Sequence, residues 1–153
     1  MPHTERIVQY KLFTVEKANK TLPLVRAVAA DMARLSQEVI QRRQRLAFLM
    51  ERRRTPGKDP YQEELNQIEE ELATDAARLQ EYADELRQLG VEPKGAAEGL
   101  VDFPAMLNGR LVYLCWKLGE PEVQYWHDLE AGFQGRQPLG KQTTEGPDEE
   151  ALD

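Results

Sequence analysis

Residues 100–118 of the chain, LVDFPAMLNGRLVYLCWKL, decide the fold. At their centre, Asn108-Gly109 is the strongest short signal for a two-residue β-hairpin turn, because both central positions of such a turn need a positive φ angle. The flanks are rich in apolar residues, as in strands that are buried. A two-residue turn sets the register and places Asp102 opposite Cys115. The segment therefore predicts two antiparallel strands.

A third strand is expected after a second turn. Residues 119–122 carry a glycine and a proline, which are typical of a turn, and residues 123–128 return to a strand-like pattern. The sequence therefore predicts a three-stranded antiparallel β-meander over about residues 99–128.

The register of the second hairpin decides whether Cys115 and His127 meet. If residues 119–122 form a four-residue loop, Cys115 faces Trp126, and one face of the meander is almost wholly apolar, as expected of a sheet packed on helices. His127 then lies on that face, away from Cys115. A shift of one residue would bring the two side chains together, but it would bury a glutamine in place of Tyr125. The cleaner pattern favours their separation.

Upstream of the strands, apolar residues recur at spacings of three and four in two long stripes. The first stripe runs from Val25 to Leu49 and the second from Tyr61 to Leu89, and a breaker with two prolines and a glycine separates them. Such stripes predict an antiparallel two-helix hairpin, similar to a coiled coil, over about residues 21–90.

Two signals mark the start of the helical region. Thr14 is a candidate N-cap for a short helix over residues 16–20. Pro23 then indicates a restart, because proline is tolerated in the first turn of a helix, so Thr21 is expected to cap the long helix.

One charged residue interrupts each apolar stripe, Arg42 in the first and Asp75 in the second. Pairing the helices about the breaker places the two in adjacent layers, so we expect a partly buried ion pair that fixes the register. Further arginines on the first helix could bind phosphate. Glutamates at the same heights of the second helix favour salt bridges between the helices instead.

The fold class is therefore α+β, with a helical hairpin followed by a β-meander. A chain of 153 residues fits one domain, which we place at residues 1–140, with residues 129–140 as a loop that covers the sheet. Residues 141–153 hold five acids, one lysine and one large apolar residue. A disordered acidic tail is expected there.

Composition argues against several classes of protein. The formal net charge is −7, without the basic excess that is typical of nucleic-acid binding. The single cysteine, Cys115, cannot form an intramolecular disulfide, and no stretch approaches the roughly 20 apolar residues of a membrane helix. The first ten residues lack the apolar core of a signal peptide. We therefore expect a cytoplasmic protein that binds neither nucleic acid nor membrane.

Five short segments carry a family pattern: Phe13-Thr14 through Leu22-Pro23, Gly99-Leu100-Val101-Asp102-Phe103-Pro104, Leu114-Cys115-Trp116-Lys117-Leu118-Gly119-Glu120, Trp126-His127 and Gly132-Phe133-Gln134-Gly135-Arg136. Together they resemble the uncharacterised bacterial family known as domain of unknown function 2203, over about residues 10–139. The resemblance implies a bacterial, cytoplasmic protein, and it supplies no activity, cofactor or partner.

Four side chains of the meander are candidate metal ligands: Asp102, Cys115, Glu120 and His127. These residue types ligate zinc, and a Cys-His pair can also act as nucleophile and base. Because the favoured register keeps Cys115 from His127, we assign no catalytic residue. The alternative interpretation is a hydrogen-bonded, partly buried histidine and a cysteine that fills apolar space.

A wider set of residues could bind a small molecule: Cys115, Trp126, His127 and Arg136. The glycine-containing segment 132–136 could wrap an anion with its backbone amides. Its spacing matches no phosphate-binding fingerprint, so we favour a loop that folds over the sheet with Phe133 as its anchor.

Two functions stay open. The first is a non-enzymatic interaction or scaffold protein without a cofactor, because a long hairpin presents an extended surface and no complete catalytic set is present. The favoured register leaves Tyr113, Cys115 and Trp126 on the outer face of the meander, so we expect a homodimer to cover them and a protein partner on the hairpin. The second is a small-molecule- or metal-binding protein with its site on the meander.

Overall fold

The structure is a computed structural model, and it describes residues 11–52, 60–140 and 144–145. Within them, two helices, α1 (Val15–Arg52) and α2 (Gln62–Gln88), precede six strands. The strands are β1 (Glu92–Gly95), β2 (Leu100–Leu107), β3 (Arg110–Lys117), β4 (Tyr125–Asp128), β5 (Gln137–Pro138) and β6 (Thr144–Glu145), and a 3₁₀ turn spans Phe133–Gly135. The α+β class, with a helical hairpin before an antiparallel sheet, is confirmed.

Helix α1 is one continuous helix of 38 residues, roughly 57 Å long at 1.5 Å per residue. It begins after Thr14, whose hydroxyl oxygen accepts a hydrogen bond from the backbone N–H of Lys17 at 3.1 Å, as predicted for the N-cap. The expected restart at Thr21 and Pro23 is wrong, because the helix runs through Pro23. The proline is exposed, and the core-facing stripe continues on the opposite side.

The sheet is antiparallel and larger than predicted. Its order is β1-β2-β3-β4-β5, and β6 pairs with the end of β2. The predicted meander corresponds to β2, β3 and β4. Three strands were too few, because β1, β5 and β6 are only two to four residues long and carry too short a pattern to recognise.

The two hairpins differ in how well their registers were predicted. In the first, Asp102 lies opposite Cys115, as expected. In the second, Cys115 pairs with Tyr125 and Tyr113 pairs with His127, so the predicted pairing of Cys115 with Trp126 is wrong by one residue.

A side chain of α1 explains this shift. The backbone N–H of Val123 donates to Oδ1 of Asn19 at 2.7 Å, so Val123 is bound to the helix and does not pair with Leu118. The N–H of Leu118 donates to the carbonyl oxygen of Gly99 at 3.0 Å instead. Strand β4 therefore begins two residues later than expected.

The main core lies between one face of the sheet and the base of the helical hairpin. Its members include Phe13, Leu22, Val25, Met32, Phe103, Leu114 and Trp116. Trp126 belongs to the same cluster and is 6% exposed, so its expected place on the outer face is wrong. Burying each large apolar side chain contributes about 1.5–3 kcal/mol, which fixes the sheet on α1.

A second, smaller cluster lies toward the far end of the hairpin and contains Leu49, Leu65 and Ile68. Nearby, Arg45 of α1 pairs with Glu64 of α2 at 2.8 Å, in agreement with the interpretation of the arginines as salt-bridge partners. Neither of the two described helices has an apolar stretch long enough to cross a membrane.

The expected disordered tail is wrong for its described part. Thr144 and Glu145 form β6 against β2, and the N–H of Val15 donates to Oγ1 of Thr144 at 2.8 Å. The N–H of Gly109 donates to Oε2 of Glu145 at 2.9 Å. Residues 141–143 and 146–153 of that prediction lie outside the described residues.

Candidate metal centre

Three potential metal ligands converge on the face of the sheet that points away from the helices. They are Asp102 on β2, Cys115 on β3 and His127 on β4, and their ligand atoms all lie within 4.8 Å of one another. The three residues are 2%, 0% and 2% exposed, respectively. Each of three adjacent strands thus contributes one ligand type to a buried cluster.

The strand registers bring these side chains together. Asp102 and Cys115 are direct cross-strand partners, and His127 lies opposite Tyr113, two positions along β3 from Cys115. Direct and diagonal neighbours on one face of a sheet are close enough for side-chain contact. The one-residue difference in the second hairpin is therefore what places His127 beside Cys115.

The ring of His127 is fixed at both nitrogens. Nδ1 lies 2.7 Å from the carbonyl oxygen of Asp128, which can only accept, so Nδ1 carries the proton and donates. Nε2 lies 3.0 and 3.1 Å from the two carboxylate oxygens of Asp102. Metal-binding histidines commonly donate the far ring N–H to a carbonyl in this way, which aims the other nitrogen at the ion.

Burial changes the protonation of the other two ligands. Removal from water raises the pKa of the Asp102 carboxyl, although the charge and hydrogen bond of His127 oppose this. Burial, followed by the charge of Asp102, raises the pKa of the Cys115 thiol to about 12, against the opposite effect of Arg136. A thiol with so high a pKa is a poor nucleophile. Nε2 of His127 is also directed at Asp102, which argues against a Cys-His catalytic pair.

Glu120, the fourth predicted ligand, is not in this cluster. Its carboxylate forms a two-point ion pair with Arg136, and its Oε1 also accepts the backbone N–H of Lys117 at 2.9 Å. Arg136 in turn lies beside the cluster, with Nη1 3.9 Å from Sγ of Cys115. Arg136 thus lies between Glu120 and the ligand residue Cys115.

The loop that carries Arg136 lies beside the end of β3. The ring of Phe133 has Lys117 Nζ 5.4 Å from its centre, and the guanidinium of Arg136 lies 4.3 Å from the same ring. Arg136 also lies 3.9 Å from the ring of Tyr125. Phe133, Arg136 and Tyr125 therefore lie together beside the cluster.

Trp126 is the one candidate ligand-binding residue on the wrong face for this site. It points into the helix-facing core, and Arg110 lies 5.5 Å from its ring. Its buried Nε1 has no hydrogen-bond partner among the described residues.

The cluster has two further neighbours, of which sequence reasoning placed Tyr113 on the face of Cys115 and missed Lys94. The ring of Tyr113 lies 5.6 Å from that of His127, and Nζ of Lys94 lies 4.8 Å from the Tyr113 ring. Tyr113 followed from its alternation with Cys115 on β3. Lys94 could not be found, because it belongs to β1, which was not predicted.

A groove of about 520 Å³ lies elsewhere, at the start of α1. Glu16, Glu122 and Tyr125 are among the residues that line it, and none of the three clustered ligand residues is. This groove and the cluster of three ligand residues therefore lie at different places on the described part of the chain.

Comparison with known proteins adds a family and no activity. The model of a family described as "Uncharacterized conserved protein (DUF2203)" matches residues 11–139. No curated protein and no solved structure matches the chain.

Proposed function

Because the chain belongs to the DUF2203 family, whose description names no activity, we propose a function from the geometry of the cluster: the protein binds one divalent transition-metal ion of the zinc class. Nε2 of His127, a carboxylate oxygen of Asp102 and Sγ of Cys115 are its ligands. One observation carries the proposal, namely that three ligand atoms from three adjacent strands converge within 4.8 Å.

The chemistry of the three ligands favours zinc over magnesium and calcium. Thiolate sulfur and imidazole nitrogen suit zinc and its neighbours, whereas magnesium and calcium prefer oxygen ligands. Cys115 binds a metal as the thiolate, so Cys115 and Asp102 would together supply two negative charges. These charges balance a divalent ion in a buried site.

The spacing of the ligand atoms also suits a tetrahedral ion. Bond lengths of about 2.0–2.3 Å place neighbouring ligand atoms roughly 3.3–3.7 Å apart. Nε2 of His127 lies 3.0 Å from Oδ1 of Asp102, and no pair among the three ligand atoms exceeds 4.8 Å. Side-chain shifts of about 1 Å or less are sufficient to surround an ion.

We assign the ion a structural role. The three ligands leave the fourth position of a tetrahedral ion to a water molecule. Because the three residues are at most 2% exposed, that position is closed to substrate, unlike the open position of a catalytic zinc site. An ion held by β2, β3 and β4 would cross-link the centre of the sheet. Because the site exists only in the folded chain, binding stabilises it by mass action, by about 2.7 kcal/mol at a free metal concentration 100 times the Kd.

Metal titration of chelator-treated protein tests the proposal. Zn²⁺ should bind with one-to-one stoichiometry and raise the Tm, and Asp102→Asn, Cys115→Ser and His127→Gln should each weaken binding at least about tenfold. Asp75→Asn is the matched control, because Asp75 is also a buried acid but lies in the helical hairpin.

Two results would contradict a metal site. One is the lack of stoichiometric Zn²⁺ binding together with an unchanged Tm. The other is equal weakening of binding by Asp75→Asn and Asp102→Asn, which would indicate a general loss of folding in place of a lost ligand.

Self-association is a second candidate function, and exposed apolar side chains on α1 support it. Ile40 and Met50, in the half of α1 that lies far from the sheet, are 42% and 53% exposed. The outer face of the meander gives less support than expected, because Cys115 is buried within the single chain. We therefore propose α1 as the surface for a homodimer or protein partner. Light scattering of the wild type and Ile40→Glu tests this, and a monomeric wild type would reject the homodimer.

A cytoplasmic location remains part of the proposal. A cysteine that must stay reduced to bind metal is suited to a compartment that keeps thiols reduced. Cell fractionation of the native host would check it.

A further inference from the structure

We propose that Arg136 is a positioning residue of the metal centre, which donates a guanidinium N–H to the sulfur of Cys115 and thereby sets how strongly that sulfur binds the ion. The inference rests on the proposed metal-binding function and deepens it. It gives a role to a residue that is not itself a ligand.

The geometry of Arg136 permits this donation. Nη1 lies 3.9 Å from Sγ of Cys115 and 3.2 Å from Oε1 of Glu120. Because Nη1 carries two N–H groups, one can point to each acceptor. Donation to the sulfur therefore does not require the ion pair with Glu120 to break.

Arg136 is also held in this orientation from several sides. Its Nη2 donates to Oε2 of Glu120, and the backbone N–H of Lys117 holds that same carboxylate at Oε1. The rings of Tyr125 and Phe133 lie 3.9 and 4.3 Å from the guanidinium carbon. A planar guanidinium fixed in advance loses little conformational freedom when it forms a further hydrogen bond.

The sulfur needs such a donor more when a metal is bound. Cys115 then carries a negative charge next to the Asp102 carboxylate, and a charge-assisted hydrogen bond from Arg136 stabilises it. This stabilisation of the thiolate against the thiol is what favours metal binding. The donated N–H also lowers the energy of the sulfur lone pairs, so charge transfer from the sulfur to the metal absorbs at shorter wavelength. Loss of such neighbours of metal ligands typically weakens metal binding by about 10–100-fold.

The absorption spectrum of bound Co²⁺ provides the readout. Co²⁺ binds at zinc sites, and a thiolate ligand gives it a charge-transfer absorption band. In Arg136→Met, which keeps apolar contact with the two rings but cannot donate, the charge-transfer band should move to longer wavelength. Affinity for Co²⁺ should fall by about 10–100-fold. Arg26→Met is the matched control: Arg26 lies 5.8 Å from the ring of Trp116 and donates to the Pro121 carbonyl, so its loss should leave the band unmoved.

The outcomes separate this inference from the proposed function. An unmoved band in Arg136→Met, with Co²⁺ still bound through sulfur, overturns the role of Arg136 and leaves the metal site standing. A wild-type protein without a thiolate charge-transfer band overturns both.

Glu120→Gln is the second variant, in case Arg136→Met does not fold. It keeps Arg136 but weakens the ion pair that orients it. A smaller shift of the band in the same direction is expected, and no shift would count against the inference.

Discussion

Arg42 and Asp75 form an ion pair across the helical hairpin, with Nη1 of Arg42 2.6 Å from Oδ2 of Asp75. This confirms the pair predicted from the two interruptions of the apolar stripes. The side chains are 30% and 9% exposed, and Glu71 and Glu38 also lie within 4 Å of the arginine. Slippage of the helices would leave Asp75 without a cation, so the pair favours one register.

A double-mutant cycle with Arg42→Ala and Asp75→Ala should give a coupling energy of about 1 kcal/mol or more in urea unfolding. The exposed pair of Arg45 and Glu64 is the comparison, with an expected coupling of about 0.2–1 kcal/mol. Zero coupling for the partly buried pair would show that it has no influence on the stability of the hairpin.

Cys115 should make the metal-free protein less stable at alkaline pH. The folded-state pKa of its thiol is raised from 9.0 to about 12, so its contribution is complete below pH 9.0 and is lost as the pH rises toward 12. The loss amounts to at most about 1.4 kcal/mol per pH unit. In urea unfolding at about pH 8 and about pH 10.5, the advantage of the wild type over Cys115→Ala should shrink. A constant difference would mean that the thiol ionises equally in both states.

Thr144 should stabilise the start of α1. Its hydroxyl oxygen accepts the N–H of Val15, one of the first-turn groups that lack a partner within a helix. Thr144→Val should cost about 1 kcal/mol, whereas Thr74→Val, which removes an exposed hydroxyl from α2, should cost about 0.5 kcal/mol or less. Truncation after Lys141 should likewise lower the Tm, which a fully disordered tail over residues 141–153 would not do. An unchanged Tm would show that β6 adds nothing.

Gly99 and Gly109 should respond differently to alanine. Both have positive φ angles, +65° and +79°, so each substitution incurs the cost of a left-handed residue, about 1 kcal/mol. A Cβ at Gly99 would also lie 2.6 Å from Cβ of Leu118, whereas a Cβ at Gly109 meets nothing within 4 Å. Gly99→Ala should therefore lose about 1 kcal/mol more than Gly109→Ala in urea unfolding. Equal losses would mean that the backbone near Leu118 moves freely.

The first hairpin could be predicted because the residues that determine its register lie in the turn itself. Asn108 and Gly109 both adopt positive φ angles, 53° and 79°, as a two-residue turn requires. The turn alone sets the register, so the placement of Asp102 opposite Cys115 followed from the sequence.

The convergence of Asp102, Cys115 and His127 could not be predicted in the same way, because the register that brings them together depends on a distant contact. Asn19, on α1, accepts the backbone N–H of Val123, and no sequence pattern near the second turn indicates that hydrogen bond. The shifted register was rejected because it would bury Gln124. In the structure β4 begins after Gln124, which is exposed, so the objection does not apply.

Helix α1 connects apolar clusters of very different size, and this gives the two ends of the hairpin different local stabilities. Near the sheet it packs into the large core, whereas the described residues toward its end share the small cluster of Leu49, Leu65 and Ile68 with α2. Opening of that end breaks few apolar contacts and leaves the strands paired. Amide hydrogens of residues 45–52 and 62–68 should therefore exchange through partial unfolding, while those of residues 18–32 exchange only when the whole domain unfolds.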